Sequence, residues 1–295
     1  MKASALLATV LAAAAFALPA PGMAQPADTL EAVPAAADSL KSYRFGRPIL
    51  SEADAMTLRE IIQRCVEGEN TKLAGIQDMT YTATVRTVVW WPKKRILWDG
   101  VYEVFEDDQG LVQSVELATL QQEEKLVDGR WVINEDETEK EDSFSVEVER
   151  NDRGKDLARL PFFLKDQAEY DFELLERVLE EDHVIFKIAF KPKSSLKPLP
   201  SGTVYVDTDH FRIIHEEFSF AGESPFPLLV KGINRVSRHW RQLPTGEWVT
   251  WKILAEIDVR GFWKIPDRVD VAVFIDDYRF NQGFDERKFG KRGKP

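Results

Sequence analysis

From Asp78 onward the chain alternates apolar and polar positions with a period of two. Tyr81, Ala83, Val85, Thr87 and Val89 share one side, and Thr82, Thr84 and Arg86 take the other. Leu111, Gln113, Val115 and Leu117 repeat the scheme against Ser114 and Glu116. Val184, Phe186, Ile188 and Phe190 face away from Lys187. The longest run sets Val249, Trp251, Ile253, Ala255, Ile257 and Val259 against Thr250, Lys252, Glu256 and Asp258, and Val269, Val271, Val273 and Ile275 follow. Successive side chains of a strand point to opposite faces, so each run predicts a strand with one buried and one wet face, as in antiparallel sheets.

The breaks between these runs are rich in turn formers. Trp91-Pro92-Lys93-Lys94, Asp107-Asp108-Gln109-Gly110, Asp128-Gly129-Arg130 and Pro244-Thr245-Gly246 each predict a reversal between neighbouring strands. A longer Pro/Ser/Lys loop, 191–202, precedes a strand from Thr203 to Asp207. About ten strands result, with no strand–helix–strand rhythm, so a parallel doubly wound sheet is excluded.

Two segments break the period. Ala55, Leu58, Ile61, Ile62, Cys65 and Val66 recur at helical spacing and predict a helix from Ser51, its cap, to Glu67, with Gly68 ending it. Cys65, on the apolar face, reads as a small core residue. Leu157, Leu160, Phe162, Phe163 and Leu164 crowd around Pro161 after an acidic stretch, 135–152. This apolar patch is either a short helix packed on the sheet or a movable cover over a cavity.

The N-terminus changes the picture of where the protein works. Met1 and Lys2, the apolar run Ala5 to Leu18, and small residues at Ala20, Gly22 and Ala24 form a secretory signal. Cleavage is expected after Ala24, with Ala17 and Ala20 as other cut sites. Spanning a bilayer takes about 20 apolar residues, more than this run supplies. No cysteine lies near the cut, so a lipid anchor is not expected. Residues 25–45, rich in Ala, Pro, Asp and Ser, read as a disordered lead-in.

Composition then removes several functions. The chain has 295 residues, 44% of them apolar, which is enough for a sizeable core. One cysteine excludes an internal disulfide framework and multi-cysteine metal sites. The formal charge is −11, and −12 once Lys2 leaves with the signal. That balance argues against a nucleic-acid partner. The basic end is local: Arg287, Lys288, Lys291, Arg292 and Lys294 make 287–295 either a solvated tail or a weak contact for anionic lipid.

Catalytic chemistry has little to stand on. The four histidines, at 183, 210, 215 and 239, form no H-E-x-x-H, and no nucleophile elbow, P-loop or dinucleotide fingerprint occurs. Asp207, Asp209, His210 and His215 could converge on a metal, but Asp-Thr-Asp-His is also an ordinary turn. Acidic runs such as Glu135-Asp136-Glu137 read as solvated faces. The tryptophans could stack on sugars, as a carbohydrate-active enzyme would require, or fill a sheet core. No catalytic residue, cofactor or metal site is therefore assigned.

The stretch Gly202-Thr-Val-Tyr-Val-Asp207-Thr-Asp-His-Phe211-Arg-Ile-Ile214 resembles the hairpin of periplasmic lipoprotein carriers of the LolA/LolB-like superfamily. The ending Ile275-Asp-Asp-Tyr-Arg-Phe280-Asn281-Gln-Gly-Phe284 is similar to that superfamily's last strand. The resemblance covers the order of elements after about Ser51. It implies a mainly β fold: one strongly curved antiparallel sheet, an incomplete open barrel over 46–286, covered by one or more helices.

It also implies an apolar inner wall that holds a lipid or a lipoprotein acyl chain in the periplasm, with an envelope or outer-membrane protein as a further partner. Candidate wall residues are Val184, Phe186, Ile188, Phe190, Trp251, Ile253 and Ile257, and candidate lid residues are Leu157, Leu160, Phe162 and Phe163. The acidic stretch and the chain's length depart from a minimal carrier, and no gating arginine can be carried over. The same apolar faces could instead bury each other or the helix, which would make a sensor or scaffold module with a filled barrel.

Overall fold

The computed structural model describes residues 56–70, 75–108, 112–134, 169–180, 183–194, 199–220, 230–259 and 266–289. The helix α1 (Leu58–Asn70) comes first. Strands β1 (Asp78–Trp90), β2 (Lys94–Asp107), β3 (Val112–Val127) and β4 (Arg130–Ile133) follow. Then come β5 (Tyr170–Glu180), β6 (His183–Pro192), β7 (Ser201–Asp207) and β8 (Arg212–Ser219). The series closes with β9 (Val230–Gln242), β10 (Trp248–Val259), β11 (Arg268–Phe280) and a short helix α2 (Glu286–Phe289).

All eleven strands join one antiparallel sheet in the order β4-β3-β2-β1-β11-β10-β9-β8-β7-β6-β5. Every neighbouring pair is consecutive in sequence except β1 and β11, which pair over Met79 to Trp90. The chain therefore starts at the middle of the sheet, walks out to β4, reappears at the far edge as β5 and walks back. The sheet is a curved barrel left open, with β4 and β5 as its free edges.

The start of β1 and the end of β11 are tied by side chains as well as by the ladder. Asn281 takes a positive φ of 55° and accepts the Gln77 N–H at 2.8 Å, while its amide donates to the Gly75 carbonyl at 3.1 Å. Asp78 accepts the Gln282 N–H at 2.8 Å. Asn is among the residues that tolerate the left-handed region, and here its amide bonds across to the segment leading into β1. At Asp128-Gly129 both residues have positive φ, as a two-residue hairpin with the twist of its strands requires.

The helix differs from expectation at both ends. Thr57, not Ser51, is its cap: the Glu60 N–H donates to Thr57 Oγ1 and the Thr57 N–H donates to Glu60 Oε2 at 2.8 Å. This reciprocal pair satisfies two donors that a helix start leaves open. Gly68 does not end the helix, which runs on to Asn70. A Cβ at Gly68 would lie 2.5 Å from the Phe211 carbonyl oxygen, so glycine stands there to let the helix meet the β7–β8 turn.

The expected face of β3 is also broken. Leu117 is 55% exposed. Val101 pairs with Ala118 while Tyr102 pairs with Glu116, so Leu117 is an extra residue at a β-bulge and the parity beyond it reverses.

The C-terminal segment folds back on the outer face of β2. Phe284 and Phe289 sit against Phe105, at ring separations of 4.9 and 5.8 Å, and Phe105 is buried. Lys288 and Arg279 both pair with Glu103. The first residues of the basic end are thus engaged, Lys288 by a carboxylate that is itself 4% exposed. Residues 290–295 lie outside the described residues, as do the expected signal, the expected lead-in and the acidic stretch.

Candidate functional site

The inner face of the sheet carries two apolar clusters that meet at Val236. The first joins Ile61, Ile62 and Cys65 of α1 to Phe186, Ile188 and Phe190 of β6, Val204 and Val206 of β7, Ile213 and Phe218 of β8, and Trp240 of β9. Here the helix lays its apolar stripe on the sheet, and Phe186 and Ile188 have no solvent exposure. Arg177 is buried beside them, its guanidinium 5.1 Å from the Phe186 ring centre and donating to the Met56 carbonyl at 3.3 Å. That bond ties the entry of the helix to the edge strand β5.

The second cluster takes Tyr81, Ala83 and Val89 of β1, Val104 of β2, Ile253, Ala255, Ile257 and Val259 of β10, and Val269, Val271, Val273 and Ile275 of β11. Every described member comes from the sheet. Among the described residues no helix belongs to this cluster. Along one row Ala255, Val271 and Thr87 are register partners in turn. Thr87 is 1% exposed, and its hydroxyl has no hydrogen-bond partner among the described residues.

A buried ion pair lies at the boundary. Arg238 of β9 pairs with Glu216 of β8, and the two side chains are 2% and 0% exposed. The Arg238 guanidinium also sits 5.9 Å from the Phe218 ring and 5.5 Å from the Trp240 ring. Arg238 lies opposite Ile253 in the β9–β10 ladder, so it abuts the second cluster as well. A pair this deep is worth little against well-packed apolar replacements, but losing one partner strands a charge.

The proposed wall residues are therefore not brought together. Val184, Phe186, Ile188 and Phe190 lie in or against the first cluster, while Ile253 and Ile257 belong to the second. Trp251 leaves the face altogether. Thr250 pairs with Trp240 and Lys252 with His239, which makes Trp251 the extra residue of a bulge. Its ring lies 5.8 Å from His239, near Arg241 and Lys252, on the outer face. The lid residues Leu157, Leu160, Phe162 and Phe163 lie outside the described residues.

Sequence reasoning missed the Arg238–Glu216 pair, although a signal was present. Val236, Arg238 and Trp240 share one parity, as do Glu216 and Phe218, so each charge interrupts an apolar face.

The outer face behind the first cluster carries a row of rings. Tyr205 stacks on His215 at 4.8 Å and His215 on His239 at 4.1 Å, nearly parallel. Ser237 Oγ lies 3.0 Å from His215 Nε2 and 3.1 Å from His239 Nε2. Burial, with the neighbouring His239, lowers the His215 pKa to about 4, against the opposing pull of Glu217. Burial, then Lys252 and Arg235, lowers that of His239. Both rings are neutral at pH 7. Beside them a groove of about 330 Å³, bordered by Lys187, Thr203, Tyr205, Glu217, Asn234 and Arg235, is polar and shallow.

The Asp207 cluster is a turn. His210 Nδ1 is 2.9 Å from Asp207 Oδ2, and the Asp209 N–H donates to Asp207 Oδ1 at 3.3 Å. His215 does not join it. Among the described residues no three His, Cys, Asp or Glu side chains are placed to hold a metal ion.

Residues 164–263 match a family of unknown function, DUF5686. No curated protein matches the chain. Among solved structures the chain is similar to a putative outer membrane lipoprotein-sorting protein domain from Vibrio parahaemolyticus. The identity is 12%, the coverage 78% of this chain and 96% of that one, and the TM-score 0.37. It is similar also to a LolA superfamily protein from Nitrosomonas europaea, at 12% identity, 80% and 99% coverage and a TM-score of 0.34. A DUF1329 family protein from Desulfovibrio piger gives 11% identity, 79% and 96% coverage and the same TM-score. No described helix is long and apolar enough to cross a membrane.

Proposed function

We propose that the chain is an exported envelope protein that binds an acyl chain or similar apolar ligand on the inner face of β1, β2, β10 and β11, and makes or breaks no bond there. The observation that carries the reading is Thr87. A buried hydroxyl without a partner costs about 1–3 kcal/mol, and native structures leave few such groups. Thr87 sits in an apolar wall, one strand removed from Ala255 across Val271, where a ligand carbonyl or hydroxyl would complete it. An acyl chain laid along this wall gains about 0.8 kcal/mol per buried methylene, so affinity follows from area with one polar anchor to set register.

This reading moves the site away from β6, whose apolar face is already occupied by α1. A fluorescent fatty-acid probe titrated into the mature chain tests it. Saturable binding is expected, abolished by Ala255→Trp, which fills the wall, and unaffected by substitutions on α1. Binding that Ala255→Trp leaves intact would sink this placement.

The second reading, a sensor or scaffold with a filled barrel, draws on the first cluster, where the protein's own helix takes the place a ligand would. Absence of any saturable probe binding, with the folded state verified by circular dichroism, would favour it.

A further inference from the structure

One end of the sheet exposes apolar side chains that no core requires. The β3–β4 hairpin turns at Asp128-Gly129, and its two arms pair Leu126 with Trp131 and Glu124 with Ile133 on the outer side. Val127 with Arg130 and Lys125 with Val132 point to the inner side. Leu126, Val127, Val132 and Ile133 are 38, 52, 49 and 50% exposed. A strand that belongs to a sheet buries one face and wets the other, so aliphatic groups exposed on both faces call for an outside partner.

The surroundings say which partner. The Leu126 N–H donates to the Lys93 carbonyl at 2.9 Å, which fixes the β1–β2 turn, Trp91 to Lys94, beside the hairpin. Arg95 lies between the rings of Trp90 and Trp131, at 5.1 and 4.7 Å from their centres. Glu123 and Glu124 are consumed by Lys94 and Arg95. Lys93, Lys125 and Arg130 are exposed, against one exposed carboxylate at Asp128, and no ion pair joins them to another described residue. The tip is thus a cationic spot, rimmed with tryptophan, on a chain of net charge −11.

We propose that this tip docks on an anionic lipid surface. Tryptophan settles at the water–lipid boundary, lysine and arginine meet acidic headgroups, and aliphatic side chains enter the acyl region. A flat protein surface would cover one side of the hairpin, whereas a bilayer surrounds an inserted tip and accounts for both. The proposal goes beyond the ligand reading, since it needs no cavity and concerns the opposite arm of the meander from β10.

The test uses the mature full-length chain and vesicles of phosphatidylglycerol and phosphatidylcholine, with pure phosphatidylcholine as the comparison. Co-sedimentation with the anionic vesicles is expected, with a blue shift of tryptophan emission. Each cation near such a surface contributes a several-fold gain, so Lys93→Glu/Lys125→Glu/Arg130→Glu should weaken binding on the order of a hundredfold. Val132→Asp/Ile133→Asp should weaken it too, with melting temperature checked for both variants. No sedimentation with anionic vesicles overturns the proposal. So does binding that both variants retain but that removal of residues 290–295 abolishes. Self-association lost in the same variants, without vesicle binding, would assign the tip to a second copy instead.

Discussion

The two halves of the inner wall are built from the same kind of strand and end differently. On β6 to β9 the aromatic and branched side chains meet α1, and the helix consumes the apolar face that the strands create. On β1, β2, β10 and β11 the strands carry mostly Val, Ile and Ala, and among the described residues their cluster holds no helical member. Alternation declares that a face is apolar; it says nothing of what that face meets. The difference is written in side-chain size instead. Phe186, Phe190, Phe218 and Trp240 cluster with a helix, whereas the second cluster includes the small Ala83 and Ala255.

The sharpest way to break this comparison is at the boundary. Arg238→Met leaves Glu216 buried without its cation and should cost about 3–5 kcal/mol, read as a shift of the denaturant midpoint. Glu216→Leu/Arg238→Met removes both charges and should recover most of that loss. A small effect of the single change would mean that water reaches the pair, and the two halves would then share one wet interior.

A pair of truncations sharpens the contrast. Phe186→Ala should cost about 3–5 kcal/mol and leave the affinity for a fatty-acid probe unchanged, since its pocket belongs to the helix. Ile253→Ala should cost about 2–5 kcal/mol and weaken the probe as well. Saturating probe at a hundred times its Kd should in turn raise stability by about 2.7 kcal/mol in the Phe186→Ala variant. Equal effects of both truncations on the probe would erase the proposed division of labour.

Much of the fold was legible because antiparallel strands with one wet face write their period into the sequence. Val269, Val271, Val273 and Ile275 are all buried, as their alternation requires. What failed did so at bulges. Leu117 and Trp251 are each a single extra residue opposite a regular partner, and nothing in the local pattern marks such an insertion. The helix cap failed for a different reason. Ser51 and Thr57 both offer a hydroxyl, and only Thr57 has a glutamate three residues on to return the bond. The candidate site was legible as apolar faces and illegible as a site, because the split between a face met by α1 and one whose described members all belong to strands is set by contacts distant in sequence.

The outer face behind the helix-filled half supplies the pH test. His215 and His239 face Lys252, Arg235 and Glu217 and share Ser237 between them. Their folded pKa values lie below the ordinary histidine value of about 6.5, so between that pH and about 4 the unfolded chain binds more protons than the folded one. Stability from His215 is full above pH 6.5 and is lost as pH falls through about 4, and His239 acts in the same direction. Glu103 acts lower in the scale. Burial raises its pKa, and the bonds from Lys288 and Arg279 outweigh that and lower it, so its contribution is present above about 4.5 and lost in acid. Unfolding midpoints at pH 7.5, 5.5 and 4 should fall in that order. His215→Phe/His239→Phe should flatten the upper part of the fall.

The smallest effect expected carries the most information about the second half of the wall. Thr87→Val replaces a hydroxyl by a methyl at a site that is 1% exposed and ringed by Val271, Trp98 and their neighbours. Among the described residues the Thr87 hydroxyl has no hydrogen-bond partner, so the change removes a desolvated polar group without breaking a hydrogen bond. Stability should therefore hold or rise by about 1 kcal/mol, the reverse of the usual outcome of a core substitution. If a ligand's polar group completes Thr87, the same variant should bind the probe several-fold more weakly, the loss expected for one hydrogen bond of about 1 kcal/mol. Stability and affinity would then move in opposite directions in a single isosteric change. A loss of stability would show that Thr87 already has a partner in solution, and the wall would lose its anchor; unchanged affinity with raised stability would leave an apolar wall that holds its ligand by area alone.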